Sequence, residues 1–110
     1  MFILDDLNIT LSRGDTATLD LTFSGDVPQA GDTVVMSLKT SPNDKKPKWE
    51  KVVKGAPTVS FEIDSADTAG LPFGTYYWDA RIFYQNGNVT TPFPPKKFVV
   101  SEVVTNERQS

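Results

Sequence analysis

Hydrophobic and polar residues alternate along much of this chain, as they do in β-strands that bury one face and leave the other in water. The alternation is clearest from Ala17 to Phe23, where the segment ATLDLTF has an apolar residue at every second position. The same period recurs in TVVMSLK, residues 33–39, and in TVSFEID, residues 58–64. Turn-forming residues separate these runs at fairly regular intervals, so the pattern predicts short strands packed as a two-sheet sandwich.

The predicted fold is all-β, a single antiparallel β-sandwich of about seven strands without an amphipathic helix. At 110 residues the chain suits one domain, which we place at residues 1–105, followed by a polar tail at residues 106–110. The predicted strands span residues 7–12, 16–24, 33–40, 49–53, 58–64, 75–84 and 97–104.

The aromatic run GTYYWDARIFY, residues 74–84, could be an exposed platform or a strand of the core. Alternation assigns to the inner side Tyr76, Trp78, Ala80 and Ile82. It assigns to the outer side Tyr77, Asp79, Arg81 and Phe83. Because Asp79 and Arg81 are costly to bury without partners, we expect Tyr77 and Phe83 to lie with them on the outer surface. The run is therefore predicted to be divided between two faces.

Short breaks in the pattern have the composition of turns. The NGN segment at residues 86–88 suits a tight hairpin, and the RGD segment at residues 13–15 suits a glycine turn. RGD is also the tripeptide that integrins recognise, but we interpret it here as a turn before a strand. Prolines in TPFPPKKF lack a backbone donor, so we expect an irregular or edge segment there and leave the path of residues 90–97 open.

Composition narrows the possible chemistry. The chain has no cysteine and no histidine, which removes the commonest general base, the usual zinc ligands and the cysteine nucleophile. No serine lies in a nucleophile elbow and no glycine-rich phosphate loop follows a strand. We therefore expect no enzyme, no cofactor and no metal site. The net charge of -3 gives no electrostatic case for nucleic acid, and the apolar N-terminal run is too short to span a membrane.

Lysines surround Trp49 in the segment NDKKPKWEKVVKG, which superficially resembles a nucleic-acid patch with a stacking ring. Lysines on an edge strand also discourage unwanted strand pairing, and Trp49 can cover the open side of a core. We favour this second interpretation.

Several segments, taken in order, resemble the immunoglobulin-like domain found at the N-terminus of phage baseplate upper proteins and in related small prophage tail proteins. The matching pieces are ITLSRGDTATLDLTF, GDTVVMSLKTS, WEKVV, VSFEIDSADTAGLPFGTYYWDARI and NGNVTTPFPPKKFVVSEVVT. The motifs that carry the resemblance are the Arg-Gly-Asp-Thr turn at residues 13–16, Asp67-Thr68, Gly-Thr-Tyr at residues 74–76 and Phe98-Val99-Val100. The family has a glycine just before the closing strand, and this chain has TPFPPKKF instead.

The segment DTAGLPFGTYYW also resembles the corner of immunoglobulin domains, where a tyrosine hydroxyl bonds back to the corner backbone. The resemblance assigns that role to Tyr76. It places Trp78 where antibody domains carry a cysteine, so that the bulk of the indole replaces the disulfide. The implied fold is a single immunoglobulin-like β-sandwich.

The resemblance implies a non-enzymatic structural module of a phage or prophage virion, made in the bacterial host cytoplasm and bound to other tail or baseplate proteins. Whether it also forms a homo-oligomer stays open. The candidate interaction residues are Trp49 and three rings expected to face outward, Tyr77, Phe83 and Phe93. The alternative is a carbohydrate-binding or adhesion module in which Trp49 and Tyr77 stack on sugar rings.

Overall fold

A computed structural model describes residues 2–25 and 27–102 of the chain. Within them lie eight strands and one short helix. In chain order they are β1 (Phe2–Asp5), β2 (Asn8–Ser12), β3 (Ala17–Thr22), β4 (Thr33–Lys39), β5 (Trp49–Lys54), β6 (Thr58–Ile63), α1 (Ser65–Ala69), β7 (Gly74–Phe83) and β8 (Val89–Ser101).

The strands form a sandwich of two unequal sheets. The large sheet has six strands in the order β1-β2-β8-β7-β4-β5, and the small sheet pairs β3 with β6. The predicted immunoglobulin-like β-sandwich is confirmed. One pairing departs from the expected antiparallel arrangement, because β2 runs parallel to β8. These strands lie at opposite ends of the chain, so no tight hairpin turn forces them to run in opposite directions.

The inner faces of both sheets meet in one apolar core. The fully buried side chains include Leu19 and Phe61 from the small sheet and Met36, Trp78 and Phe98 from the large sheet. Trp78 is 1 % exposed, and its indole Nε1 donates to the carbonyl oxygen of Leu7 at 3.0 Å. The predicted inner side of β7 is therefore confirmed.

The corner between the two sheets is the predicted tyrosine corner. The hydroxyl of Tyr76 donates to the carbonyl oxygen of Pro72 at 2.8 Å. The sequence prediction contained no helix, but α1 lies just before this corner. Its first turn is closed by the carboxylate of Asp67, which accepts the backbone N–H of Asp64 at 2.7 Å. A five-residue helix is too short to produce an amphipathic period, so the pattern could not reveal it.

The last strand is longer than predicted and follows the proline segment. β8 begins at Val89, and its pairing with β7 shifts register between Trp78 and Ala80 and again between Ala80 and Ile82. The prolines lie within these irregularities, and their part of β8 pairs only with β7 because β2 pairs from Phe98 onward. Residues 90–97 thus follow a bulged edge of the sheet. Proline is tolerated there because its position requires no backbone N–H donor.

The first strand was not predicted. β1 pairs with β2 through a turn in which Asp6 and Leu7 have φ values of 50 and 67°. Glycine is the usual residue in that conformation. Because the turn contains no glycine, the sequence carries no signal of this hairpin. Residues 103–104 of the predicted final strand and the predicted tail at residues 106–110 lie outside the described residues.

Candidate interaction surface

The side of the large sheet that faces away from the core extends across the strands of a six-stranded sheet. We define the large-sheet outer face by the outward residues of β4, β5 and β7, together with Val89 of β8. By register these are Thr33, Val35, Ser37, Lys39, Glu50, Val52, Lys54, Tyr77, Asp79, Arg81 and Phe83. Phe83 lies opposite Thr33 on one side and Val89 on the other, which brings Val89 onto the same face.

Charged and polar groups occupy the middle of the large-sheet outer face, and several of them are buried. Asp79 is 6 % exposed and lies 3.3 Å from the Nζ of Lys39. Ser37 is fully buried opposite Asp79, and its hydroxyl donates to Glu50 at 3.1 Å. Glu50 in turn lies 4.0 Å from the guanidinium of Arg81. Among the described residues, Asp79 Oδ1 and Arg81 Nε are buried without a hydrogen-bond partner.

Apolar side chains lie at the margins of the same face. Val52 on β5 is 64 % exposed, while Phe83 on β7 and Val89 on β8 are 36 % and 49 % exposed. The guanidinium of Arg81 lies 5.2 Å from the centre of the Phe83 ring. The face therefore combines exposed apolar groups with charges of both signs.

Tyr77 lies on this face as predicted, between Lys39 on β4 and Lys97 on β8. Phe83 also lies where the alternation placed it. Their role in binding stays a prediction.

Phe93 was expected to face outward, and this placement is wrong. Its ring packs edge-on against Phe23 at 5.2 Å and stacks near Trp78 at 6.4 Å. Phe93 pairs with Ala80, which is fully buried on the inner face. Each irregularity in β8 adds one residue relative to β7, so it reverses the side to which the following residues point.

Trp49 covers the side of the core, as the second interpretation of its segment predicted. It pairs with the buried Leu38, so it lies on the inner face of the large sheet. Its indole Nε1 donates to the carbonyl oxygen of Asp67 at 3.1 Å, and its ring contacts Phe98 edge-on at 6.2 Å. Because Tyr77 lies on the outer face, the two rings do not form a common sugar-stacking platform.

The outer face of the small sheet is built differently. Hydrogen bonds between side chains join opposite residues of β3 and β6, so the exposed polar groups satisfy one another. The pairs are Thr18 with Glu62, Asp20 with Ser60, and Thr22 with Thr58. This surface is polar and offers no exposed large apolar side chain.

The RGD segment forms the predicted turn. Gly14 has a φ of 87°, and Asp15 donates its backbone N–H to the carbonyl of Ser12 at 3.0 Å. Arg13 is held against the protein, since its guanidinium lies 4.1 Å from the ring of Phe73 and donates to the carbonyl of Leu71 at 3.3 Å. These contacts give the arginine a structural role at the corner.

Sequence reasoning placed Phe83 on the outer face but missed the valines of that face. Val35, Val52 and Val89 lie at positions where the neighbouring residues indicate an outward side chain. The signal was present, because the alternation that puts Val34 and Met36 inside puts Val35 outside. An apolar residue at an outward position is the feature that could have identified this face as a candidate interaction surface.

No cluster of potential metal ligands occurs in residues 2–25 and 27–102. In the same residues, no helix has the length and apolar character needed to cross a membrane.

Together the fold and this surface define an immunoglobulin-like β-sandwich module with one mixed apolar and charged face. The family model of the LtfC-like β-sandwich domain matches residues 5–101, and the chain belongs to that family. LtfC is a phage tail fibre-like protein, so the match supports a β-sandwich domain of phage type. It does not extend to the baseplate upper proteins in particular. No curated protein and no solved structure matches the chain significantly.

Proposed function

We propose that this chain is a non-enzymatic structural module of a phage or prophage virion, which binds another tail or baseplate protein through the large-sheet outer face. Membership of the LtfC-like family supports the link to phage. The observation that carries the proposal is the exposure of Val52, Phe83 and Val89 on one face that also presents charged groups. Exposed apolar groups beside polar ones are typical of surfaces that another protein covers.

The charges on this face favour a protein partner over a nucleic acid. Lys39 and Arg81 are matched by Asp79 and Glu50, which leaves Lys54 as a single excess positive charge among the residues that define this face, too little to neutralise a run of phosphates. Paired charges of this kind instead fix the orientation of a protein partner. The partner surface should be polar at its centre, where it meets Arg81 and Glu50, and apolar at its margins, where it meets Val52, Phe83 and Val89.

Catalysis has no part in the proposal. The chain lacks the histidine and cysteine side chains that most often act as bases and nucleophiles. Its value to a virion would come from a rigid scaffold and a defined contact surface, which a two-sheet core supplies.

The test uses particles purified from the strain that encodes the chain. Phe83→Asp places a charge on the large-sheet outer face and should abolish incorporation of the chain, as measured by quantitative mass spectrometry of the particles. Phe73→Asp is the matched control, because Phe73 is 48 % exposed and lies at the corner beside Arg13. Normal incorporation of Phe83→Asp, or absence of the wild-type chain from the particles, would contradict the proposal.

A further inference from the structure

The free edge of β5 presents a regular row of backbone groups. Gly55, just after the strand, donates its N–H to the carbonyl of Asp32 at 2.9 Å, in continuation of the pairing with β4. Successive residues of a strand direct their backbone groups to opposite sides, so Val53 also faces β4. The N–H and C=O groups of Glu50, Val52 and Lys54 therefore point away from the sheet. Within the described residues, β5 is the last strand on this side.

The side chains of these same residues are complementary to their own reversed copy. Reading Glu50, Val52, Lys54 against the same strand in the opposite direction places Val52 against Val52 and each Glu50 against a Lys54. Antiparallel neighbours of opposite charge and apolar neighbours both stabilise a sheet. Val52, the most exposed large apolar residue of the described chain, would lie beside its own copy at the centre.

We infer that two copies of this chain pair through β5, antiparallel and about a two-fold axis at Val52, so that the two large sheets join into one. Such an isologous contact closes on itself and gives a dimer. This interface goes beyond the proposed function, because it joins like chains through an edge and leaves most of the large-sheet outer face uncovered.

Lysines on an edge strand commonly discourage pairing with another strand, but the lysine in the middle of β5 forms ion pairs within its own chain. The Nζ of Lys51 lies 2.6 Å from the carboxylate of Asp67 and 4.0 Å from that of Asp64. Its charge is thus neutralised by the residues at the start of α1. The remaining lysine of the strand, Lys54, meets Glu50 of the second copy in the inferred register.

Other registers and edges lack this complementarity. A shift by two residues sets Lys54 against Lys48, which is a repulsive pair, and the backbone N–H of Lys48 already donates to the carbonyl of Leu38 on β4. A shift in the other direction leaves Glu50 opposite Ala56. The edge strand β1 contains Asp5 as its only charged residue, so two copies of β1 have no opposite charges to match.

Sedimentation velocity of the purified full chain over a range of concentrations tests the inference. We expect a reversible dimer in the wild type. Lys54→Glu sets like charges against each other twice in the dimer, and it should raise the dimer dissociation constant at least about tenfold. Glu50→Lys should do the same. Lys45→Glu, an identical charge change at an exposed position in the loop between β4 and β5, should leave the dimer unchanged.

The decisive measurement mixes the two weakened variants. Glu50→Lys and Lys54→Glu repel their own copies, but each supplies the charges that the other lacks. An equimolar mixture should therefore form a heterodimer with nearly the wild-type dissociation constant. Lack of recovery in the mixture, when both variants melt as folded proteins, would overturn the inferred register.

A second variant tests the backbone pairing itself. Val52→Pro removes an N–H that points away from β4, so it should preserve the fold and abolish the dimer. A wild-type chain that stays monomeric at every concentration would overturn the inference and leave the proposed function untouched. Phe83→Asp, which tests that function, should still dimerise.

Discussion

The two outward surfaces of the sandwich differ in how far solvent reaches them. On the small sheet, the side chains of Thr18, Asp20 and Glu62 are all exposed. On the large sheet, Ser37 and Asp79 also point away from the core, yet they are 0 % and 6 % exposed. The same alternation of strand residues thus leads to a solvent-exposed outer surface on the small sheet and a partly buried one on the large sheet.

Sheet width explains the difference. Both strands of the small sheet are edge strands, so each outward side chain has a neighbour on one side only. β4 and β7 lie in the interior of the large sheet and have paired strands on both sides. The long side chains of Lys39, Glu50 and Arg81 can therefore cover the shorter ones of Ser37 and Asp79. The large-sheet outer face has a buried layer of its own, which a narrow sheet cannot form.

The largest loss of stability is expected from a truncation in the core between the two sheets. Trp78→Ala should lower the free energy of unfolding by about 3–5 kcal/mol, because it removes a fully buried indole that packs between the sheets. Urea denaturation followed by circular dichroism measures this loss. Trp49→Ala is the control and should cost less, since Trp49 is only partly buried. A larger loss at Trp49 would contradict the assignment of the core.

The next prediction compares one aspartate from each outer face. Asp79→Ala should destabilise the protein by about 2–3 kcal/mol, because it leaves the mostly buried Lys39 without its partner. Asp20→Ala should change the stability by about 0.5 kcal/mol or less, since Asp20 is exposed and its partner Ser60 can bond to water. Urea midpoints of the two variants give the comparison. Equal effects would mean that the two faces do not differ in burial.

The inner face could be predicted from the sequence because it depends on a local rule. Strict alternation in β3, β6 and β7 identifies the core positions without knowledge of the partner strands. The corner was equally accessible, since Tyr76 and the turn before it are close together in the chain. In both cases the residues that determine the structure lie within a few positions of one another.

Other features depend on partners that are distant in sequence. Counting back from Phe98 in steps of two makes Phe93 an outward residue, and only the bulge opposite β7 turns it inward. The burial of Asp79 requires Lys39, which is far away in the chain and reaches it because β4 lies beside β7. The strand order of the large sheet was not predicted, so neither result could be reached from the alternation alone.

The smallest expected difference in stability is between two alanine substitutions, one on the outer face of each sheet. Val35→Ala should cost about 1–2 kcal/mol, because Val35 is 8 % exposed between β5 and β7 although it points away from the core. Thr18→Ala should cost about 0.5 kcal/mol or less, since it removes only an exposed hydrogen bond to Glu62. Urea denaturation can resolve this difference when both variants keep the wild-type m-value. If Val35→Ala were as mild as Thr18→Ala, the outward layer of the large sheet would contribute little to stability, and binding rather than folding would be the role left for its apolar residues.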